Sequence, residues 1–195
     1  MDGKTVVLVD TDLRHPTLHS LLNLPALPGL TDVLLGRAPL QPHQVMPGLS
    51  VLTAGSTPPN PGELLNSRKF RTLVDTLMER ADLVIFDSPP VLVAADAAIL
   101  ASQMDGTVLV IETGRTKKAS ARRAMQMLTQ ARATLLGVAY NKISTQEASG
   151  YYYQYQSATP ALGERSERPT LLPRDADLVN STPRPVPDGR EKDGA

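Results

Sequence analysis

Apolar runs alternate with helical periodicities along most of this chain. Four short runs, Thr5–Asp10, Leu83–Asp87, Thr107–Ile111 and Leu136–Asn141, are rich in Val, Ile and Leu with little alternation. Such runs predict strands of a parallel sheet covered on both faces. Tyr140, inside the last run, accordingly reads as buried. Leu49–Thr53 reads as a fifth strand. Pro61-Gly62-Glu63-Leu64-Leu65 opens a helix that continues to about Ala81, with Leu64, Phe70, Leu73, Val74 and Leu77 on its apolar side. Ala95–Gln103 and Lys117–Ala131 predict two more helices. Thr31-Asp32-Val33-Leu34, after Gly29, reads as a short capped helix without chemistry. Strands and helices in alternation predict an α/β fold with a doubly wound, mostly parallel sheet.

The pattern stops after Gly150. Pro160, Pro169, Pro173, Pro183, Pro185 and Pro187 stand there among Arg, Glu and Asp with few large apolar residues. Such a composition cannot bury enough surface to offset its ordering entropy, so the segment beyond roughly residue 156 is expected to be disordered. The expected division is an α/β domain over residues 1–148 and a tyrosine cluster with a Pro/charge-rich tail over residues 149–195.

A chain of 195 residues can bury a sizeable core. Its formal net charge is zero, so bulk charge points to neither nucleic acid nor an anionic membrane. There is no cysteine, which excludes disulfides, thiolate metal sites and cysteine nucleophiles. No long uncharged apolar run predicts a transmembrane helix.

Three carboxylates carry the candidate chemistry. Val6-Val7-Leu8-Val9-Asp10-Thr11-Asp12 is a strand ending on two of them, and strand alternation puts both on one face if the strand persists that far. Leu83-Val84-Ile85-Phe86-Asp87 ends on the third and is followed by Ser88-Pro89-Pro90, which must leave the strand extended. The C-terminal edge of an open parallel sheet is where such folds bind ligands. Carboxylates there suit Mg²⁺, a hard cation that commonly arrives with phosphates.

These segments resemble the bacterial tyrosine kinases that control capsule and exopolysaccharide synthesis, a branch of the deviant-Walker P-loop ATPases. Val7-Leu8-Val9-Asp10-Thr11-Asp12-Leu13-Arg14-His15-Pro16 is similar to their Walker A′ motif, and Val84-Ile85-Phe86-Asp87-Ser88-Pro89-Pro90-Val91 to their Walker B segment. Pro58-Pro59-Asn60-Pro61-Gly62-Glu63-Leu64-Leu65 resembles the family's Pro-Asn-Pro-Ser-Glu-Leu-Leu stretch, with Gly62 in place of Ser. Asp105–Val110 and Gly137–Lys142 resemble its next two strands. Four of the five tyrosines, Tyr151, Tyr152, Tyr153 and Tyr155, lie within five positions, like the family's autophosphorylated C-terminal cluster.

The resemblance implies a P-loop NTPase-like fold and ATP with Mg²⁺ as cofactors. It implies Asp10 as the base toward an incoming tyrosine hydroxyl, with Asp12 and Asp87 as Mg²⁺ ligands. The division of roles among these three is left open. Asn141 would contact adenine, and Arg14 would organise the site or meet phosphate. The implied partners are a membrane chain-length or activator protein of polysaccharide export, a cognate tyrosine phosphatase and further copies of the chain, with no nucleic acid. The implied location is cytoplasmic, at the inner face of the membrane through a partner.

The family's Gly-rich Walker A loop precedes a position equivalent to Lys4. Only Met1, Asp2 and Gly3 stand before Lys4 here, so the first strand, the loop and its helix are expected to be missing. A late start codon, a truncated gene or a split system would each account for that. The expected consequence is a gap or a rearranged pairing in the sheet, with exposed strand edges. Alternatives to a kinase are a catalytically silent module docking on the polysaccharide chain-length protein and, more weakly, a division or segregation ATPase. His15 and His19 are spaced i,i+4, but Pro16 intervenes and no third zinc ligand is evident. Lys117, Lys118, Arg122, Arg123 and Arg132 read either as an anion-binding face or as the solvated side of a helix.

Overall fold

The structure, a computed structural model, describes residues 3–143. The tyrosine cluster, the expected boundary at 148/149 and the expected disordered tail lie outside the described residues.

In chain order the elements are β1 (Val6–Asp10), α1 (Leu18–Leu21), α2 (Leu30–Leu34), β2 (His43–Met46), β3 (Leu49–Leu52), α3 (Pro61–Leu65), α4 (Arg68–Met78), β4 (Leu83–Asp87), α5 (Asp96–Ala101), β5 (Thr107–Glu112), α6 (Lys118–Gln130) and β6 (Leu135–Asn141). The strands form two sheets, one ordered β2-β3-β1-β4 and one made of β5 and β6. β1 is parallel to both neighbours, β5 is parallel to β6, and β2 alone runs antiparallel, folded back on β3. The α/β pattern expected from the sequence is therefore present.

The core lies on one side of the larger sheet. Val7 and Val9 of β1 and Leu52 of β3 meet Phe70, Leu73 and Leu77, which recur on one face of α4. Phe70 is fully buried and meets Phe86 of β4 edge to face, with ring centroids 5.9 Å apart. Burying one such aromatic removes roughly 150–250 Å² from water.

A second anchor joins the loops on either side of β2 and β3. Asp32 of α2 accepts the Gly29 N–H at 2.9 Å, the Ser56 N–H at 3.2 Å and the Ser56 hydroxyl at 2.7 Å. Gly29 and Gly55 cross so closely that a Cβ on Gly29 would sit 2.3 Å from the Gly55 nitrogen. Burial alone would raise the pKa of Asp32, but the Ser56 hydroxyl, the two N–H groups and Arg37 together hold it below the ordinary value.

The structure departs from the periodicity in three places. The helix expected over 61–81 breaks after α3, because the Ser67 hydroxyl accepts the Phe70 N–H at 3.2 Å and caps a new start at α4. The edge strand β2 and the single turn α1 carry too few apolar positions to show in the pattern. Coverage on both faces fails for the last three strands. Leu83 is 52% exposed, Val110 61% and Tyr140 61%, so Tyr140 is not buried. Exposed residues alternate along β4 and β5, so one face of each lacks a covering layer among the described residues; in addition β4 joins only β1 and β5 joins only β6, which leaves one edge of each open.

Candidate functional site

The site is built by strand register. β1 and β4 pair from Val6↔Leu83 through Asp10↔Asp87, so the two carboxylates end neighbouring parallel strands side by side. Thr11 secures the junction, since its N–H donates to the Asp87 carbonyl at 2.8 Å and its hydroxyl donates to the same oxygen. Asp10 is fully buried. Its Oδ1 accepts the Asp12 N–H at 3.1 Å and its Oδ2 accepts the Leu18 N–H at 3.2 Å, which pins the start of α1 to the end of β1. Burial raises the pKa of Asp10, the two N–H groups pull it down, and Asp87 and Asp12 push it up again, with a net rise. Asp87 keeps an open path to solvent but is crowded by protein on its other sides. That crowding, with Asp12 nearby, raises its pKa as well.

Asp12 does not extend the strand. β1 stops at Asp10, and Asp12 sits in the following turn with its Oδ1 accepting the N–H groups of Arg14 at 3.2 Å and His15 at 2.9 Å. This is the local bonding that makes Asp a turn residue. The same turn is tied down through Arg14, whose Nε lies 2.6 Å and Nη2 3.3 Å from the two oxygens of Asp96. Asp96 is buried at the start of α5, and its fork-to-carboxylate geometry fixes the guanidinium plane. The sequence reading missed Asp96. Its one signal was an acid inside Ala-Ala-Asp-Ala-Ala, which reads as a helix start.

The remaining candidates stand elsewhere. Asn141 ends β6 in the second sheet, exposed, with its Oδ1 accepting the Lys142 N–H at 2.8 Å. Its carbonyl accepts the Thr113 N–H at 2.9 Å, and the buried Thr113 hydroxyl makes no hydrogen bond among the described residues. Thr113 was not a candidate from sequence. Gly3-Lys4-Thr5 has the residue types that close a phosphate loop, but it leads into a strand. The Thr5 N–H and hydroxyl both donate to Asp82, at 2.6 and 2.9 Å, tying β1 to β4 at the end away from Asp10. Tyr151, Tyr152, Tyr153 and Tyr155 lie outside the described residues. Among those described, no three His, Cys, Asp or Glu side chains converge closely enough to hold a metal by themselves. No described helix is long and apolar enough to cross a membrane.

A hard oxygen donor set at the ends of parallel strands fits Mg²⁺, which takes one or two carboxylates and fills its shell with water and phosphate. An unpartnered hydroxyl beside an exposed amide fits a polar base edge. No family profile matches the chain. The tyrosine-protein kinase YwqD of Bacillus subtilis is 43% identical over 155 residues, covering 77% of this chain and 65% of that protein. The tyrosine-protein kinase CpsD of Streptococcus agalactiae is 33% identical over 158 residues, covering 78% and 69%. The crystal structure of the chimerical protein CapA2B2 superposes with a TM-score of 0.71 at 35% identity, covering 73% of this chain and 65% of that one. The MinD protein of Pyrococcus horikoshii, complexed with Mg-ADP, superposes at 0.58 with 20% identity and shows the P-loop NTPase-like fold alone. The chain thus spans about two thirds of the length of YwqD and CpsD. Identity at that level, over a fold whose paired strands end on the expected carboxylates, shows that the chain belongs to the bacterial tyrosine-protein kinases of capsule and exopolysaccharide systems.

Proposed function

We propose that this chain supplies the carboxylate side of an ATP- and Mg²⁺-dependent protein-tyrosine kinase site. The observation that carries the reading is the register of Asp10 beside Asp87. Phosphoryl transfer depends on positioning and charge neutralisation more than on covalent help from the protein. Asp87, open to solvent, and Asp12, in the adjoining turn, are the residues that would hold Mg²⁺, and the ion would neutralise charge on the phosphates. The full burial of Asp10, with an N–H on each oxygen, supports a positioning role in place of the proton-accepting one. Asp10 sets the turn that presents Asp12. Asp96 holds Nε and Nη2 of Arg14, and Nη1, which makes no hydrogen bond among the described residues, would meet phosphate. Asn141 and Thr113 would meet the base.

The 195 residues contain no Gly-x-x-x-x-Gly-Lys-Ser/Thr loop. The phosphate cradle is therefore assigned to polypeptide outside them. The proposed target is the cluster Tyr151, Tyr152, Tyr153 and Tyr155, in this chain or in another copy. A membrane activator of polysaccharide export and a cognate tyrosine phosphatase are the proposed partners, with the chain held at the cytoplasmic face of the membrane.

Calorimetric titration with Mg·ATP tests this reading. Binding should be weak or absent for the 195 residues alone and should appear when a loop-bearing segment is joined upstream. In the extended protein Asp12→Asn and Asp87→Asn should each reduce Mg²⁺-dependent tyrosine phosphorylation strongly. Tight binding by the short chain would remove the need for a separate cradle. Absent binding in both forms would favour the silent docking module.

A further inference from the structure

The carboxylate site leaves the basic side of α6 unexplained. Between Thr113 and Ile143 the chain carries seven basic residues and no acidic one, in a sequence whose totals are 20 and 20. Glu112 engages two of the seven, Arg115 at 3.5 Å and Lys142 at 3.0 Å. Arg132 follows the C-terminus of α6, where a cation suits the helix dipole. The other four, Lys117, Lys118, Arg122 and Arg123, are exposed and pair with no carboxylate among the described residues.

Their placement works against the helix that carries them. Lys117 is the N-cap and Lys118 opens the first turn, at the positive end of the dipole. Lys118 and Arg122 stand i,i+4, where like charges repel. Acidic residues would suit these positions better, and departures from local preference concentrate where a surface serves something beyond folding. α6 buries Ala124 and Leu128 against the protein. Lys118, Arg122 and Met125 share another stripe by their i, i+4, i+7 spacing, and Met125 is 39% exposed among those cations.

We propose that this face of α6 rests on an anionic phospholipid surface. Lys118 and Arg122 would lie against headgroup phosphates, with Met125 of the same stripe at the acyl boundary. A bilayer interface offers Met125 an apolar counterpart, which a sugar–phosphate backbone does not. Outside the basic stretch 13 basic residues face 20 acidic ones. A planar surface engages one face of a protein within a Debye length and leaves the acidic remainder in solvent. The proposal is independent of nucleotide chemistry, so its test needs no activity.

The 195-residue chain is sedimented with vesicles of phosphatidylcholine alone and of equimolar phosphatidylcholine and phosphatidylglycerol. Capture should require the anionic lipid and should fade in about 1 M salt, where the Debye length is about 3 Å. Each basic side chain near such a surface strengthens partition about fivefold. Combined Lys118→Gln and Arg122→Gln should therefore lower it about 25-fold. This variant removes like-charge repulsion, and circular dichroism should show an intact fold. Met125→Ser should lower partition severalfold and leave the salt dependence unchanged. Equal capture by phosphatidylcholine alone, or undiminished capture of the double variant, would overturn the proposal. So would tighter binding to duplex DNA that is indifferent to Met125→Ser.

Discussion

The two sheets are made from the same kind of sequence and have different surroundings. In the four-stranded sheet, Val9 and Val51 are fully buried, and α4 lays Phe70, Leu73 and Leu77 over one face. In the two-stranded sheet, Val108 and Val110 of β5 and Leu136 and Tyr140 of β6 remain exposed. Both sets are apolar runs with strand propensity. A run rich in Val and Ile therefore specifies a strand, but neighbours decide whether it is core. The difference also separates the candidate residues: the carboxylates sit on the well-supported sheet, and Asn141 sits on the sparsely supported one.

The largest expected effect breaks the first region and spares the second. Phe70→Ala should cost about 3–5 kcal/mol in urea unfolding, because it removes a ring packed against Phe86 and leaves a cavity. Val110→Ala, on the exposed face, should change stability by no more than about 0.5 kcal/mol. Equal losses would erase the distinction between the sheets.

The next effect concerns a polar anchor of the first region. Asp32→Ala should cost about 2–3 kcal/mol, since it strands the Gly29 N–H and the Ser56 N–H and hydroxyl in a buried corner. The pKa of Asp32 is lower in the folded chain than its ordinary value, so the contribution of its charge is complete above about pH 4 and disappears as the pH falls through the folded value. Wild-type protein should therefore lose stability more steeply than the Ala variant below that pH. Parallel pH profiles would contradict the assignment.

The smallest effect has the opposite sign and sharpens the contrast within the first region. The pKa of Asp87 is raised in the folded chain, so its ionised form opposes folding above its unfolded pKa, and the opposition fades as the pH falls through the folded value. Asp87→Asn should therefore raise stability at neutral pH, by well under about 1 kcal/mol, because solvent screens the exposed carboxylate. Denaturation midpoints of the two proteins compare this directly. A destabilised variant would mean that the Asp87 carboxylate serves the fold itself. A gain would mark it as a group kept for binding at some cost to stability.

Much of this was legible in sequence, unevenly. The strands showed because consecutive Val and Ile leave few other conformations that bury them. Asp10 and Asp87 showed because each ends such a run, and parallel register then places them together. The break between α3 and α4 depended on which way one hydroxyl turned, at Ser67. The Arg14–Asp96 pair joins positions 82 apart, and neither residue carries a local signal of the other. Exposure of β5 and β6 was illegible, because coverage belongs to the neighbours of a strand.

The junction between β1 and β4 has a consequence for how the protein comes into being. Thr11 and Asp87, joined by two hydrogen bonds, are 76 positions apart. Closing that distance is an entropic cost met before any parallel pairing rewards it, and topologies of this kind form slowly. During synthesis Asp10 emerges early and waits for the whole stretch through Asp87 to leave the ribosome. A nascent chain short of that point holds one edge of β1 unpaired. Site assembly and closure of that edge are thus one event, timed by the appearance of a single strand.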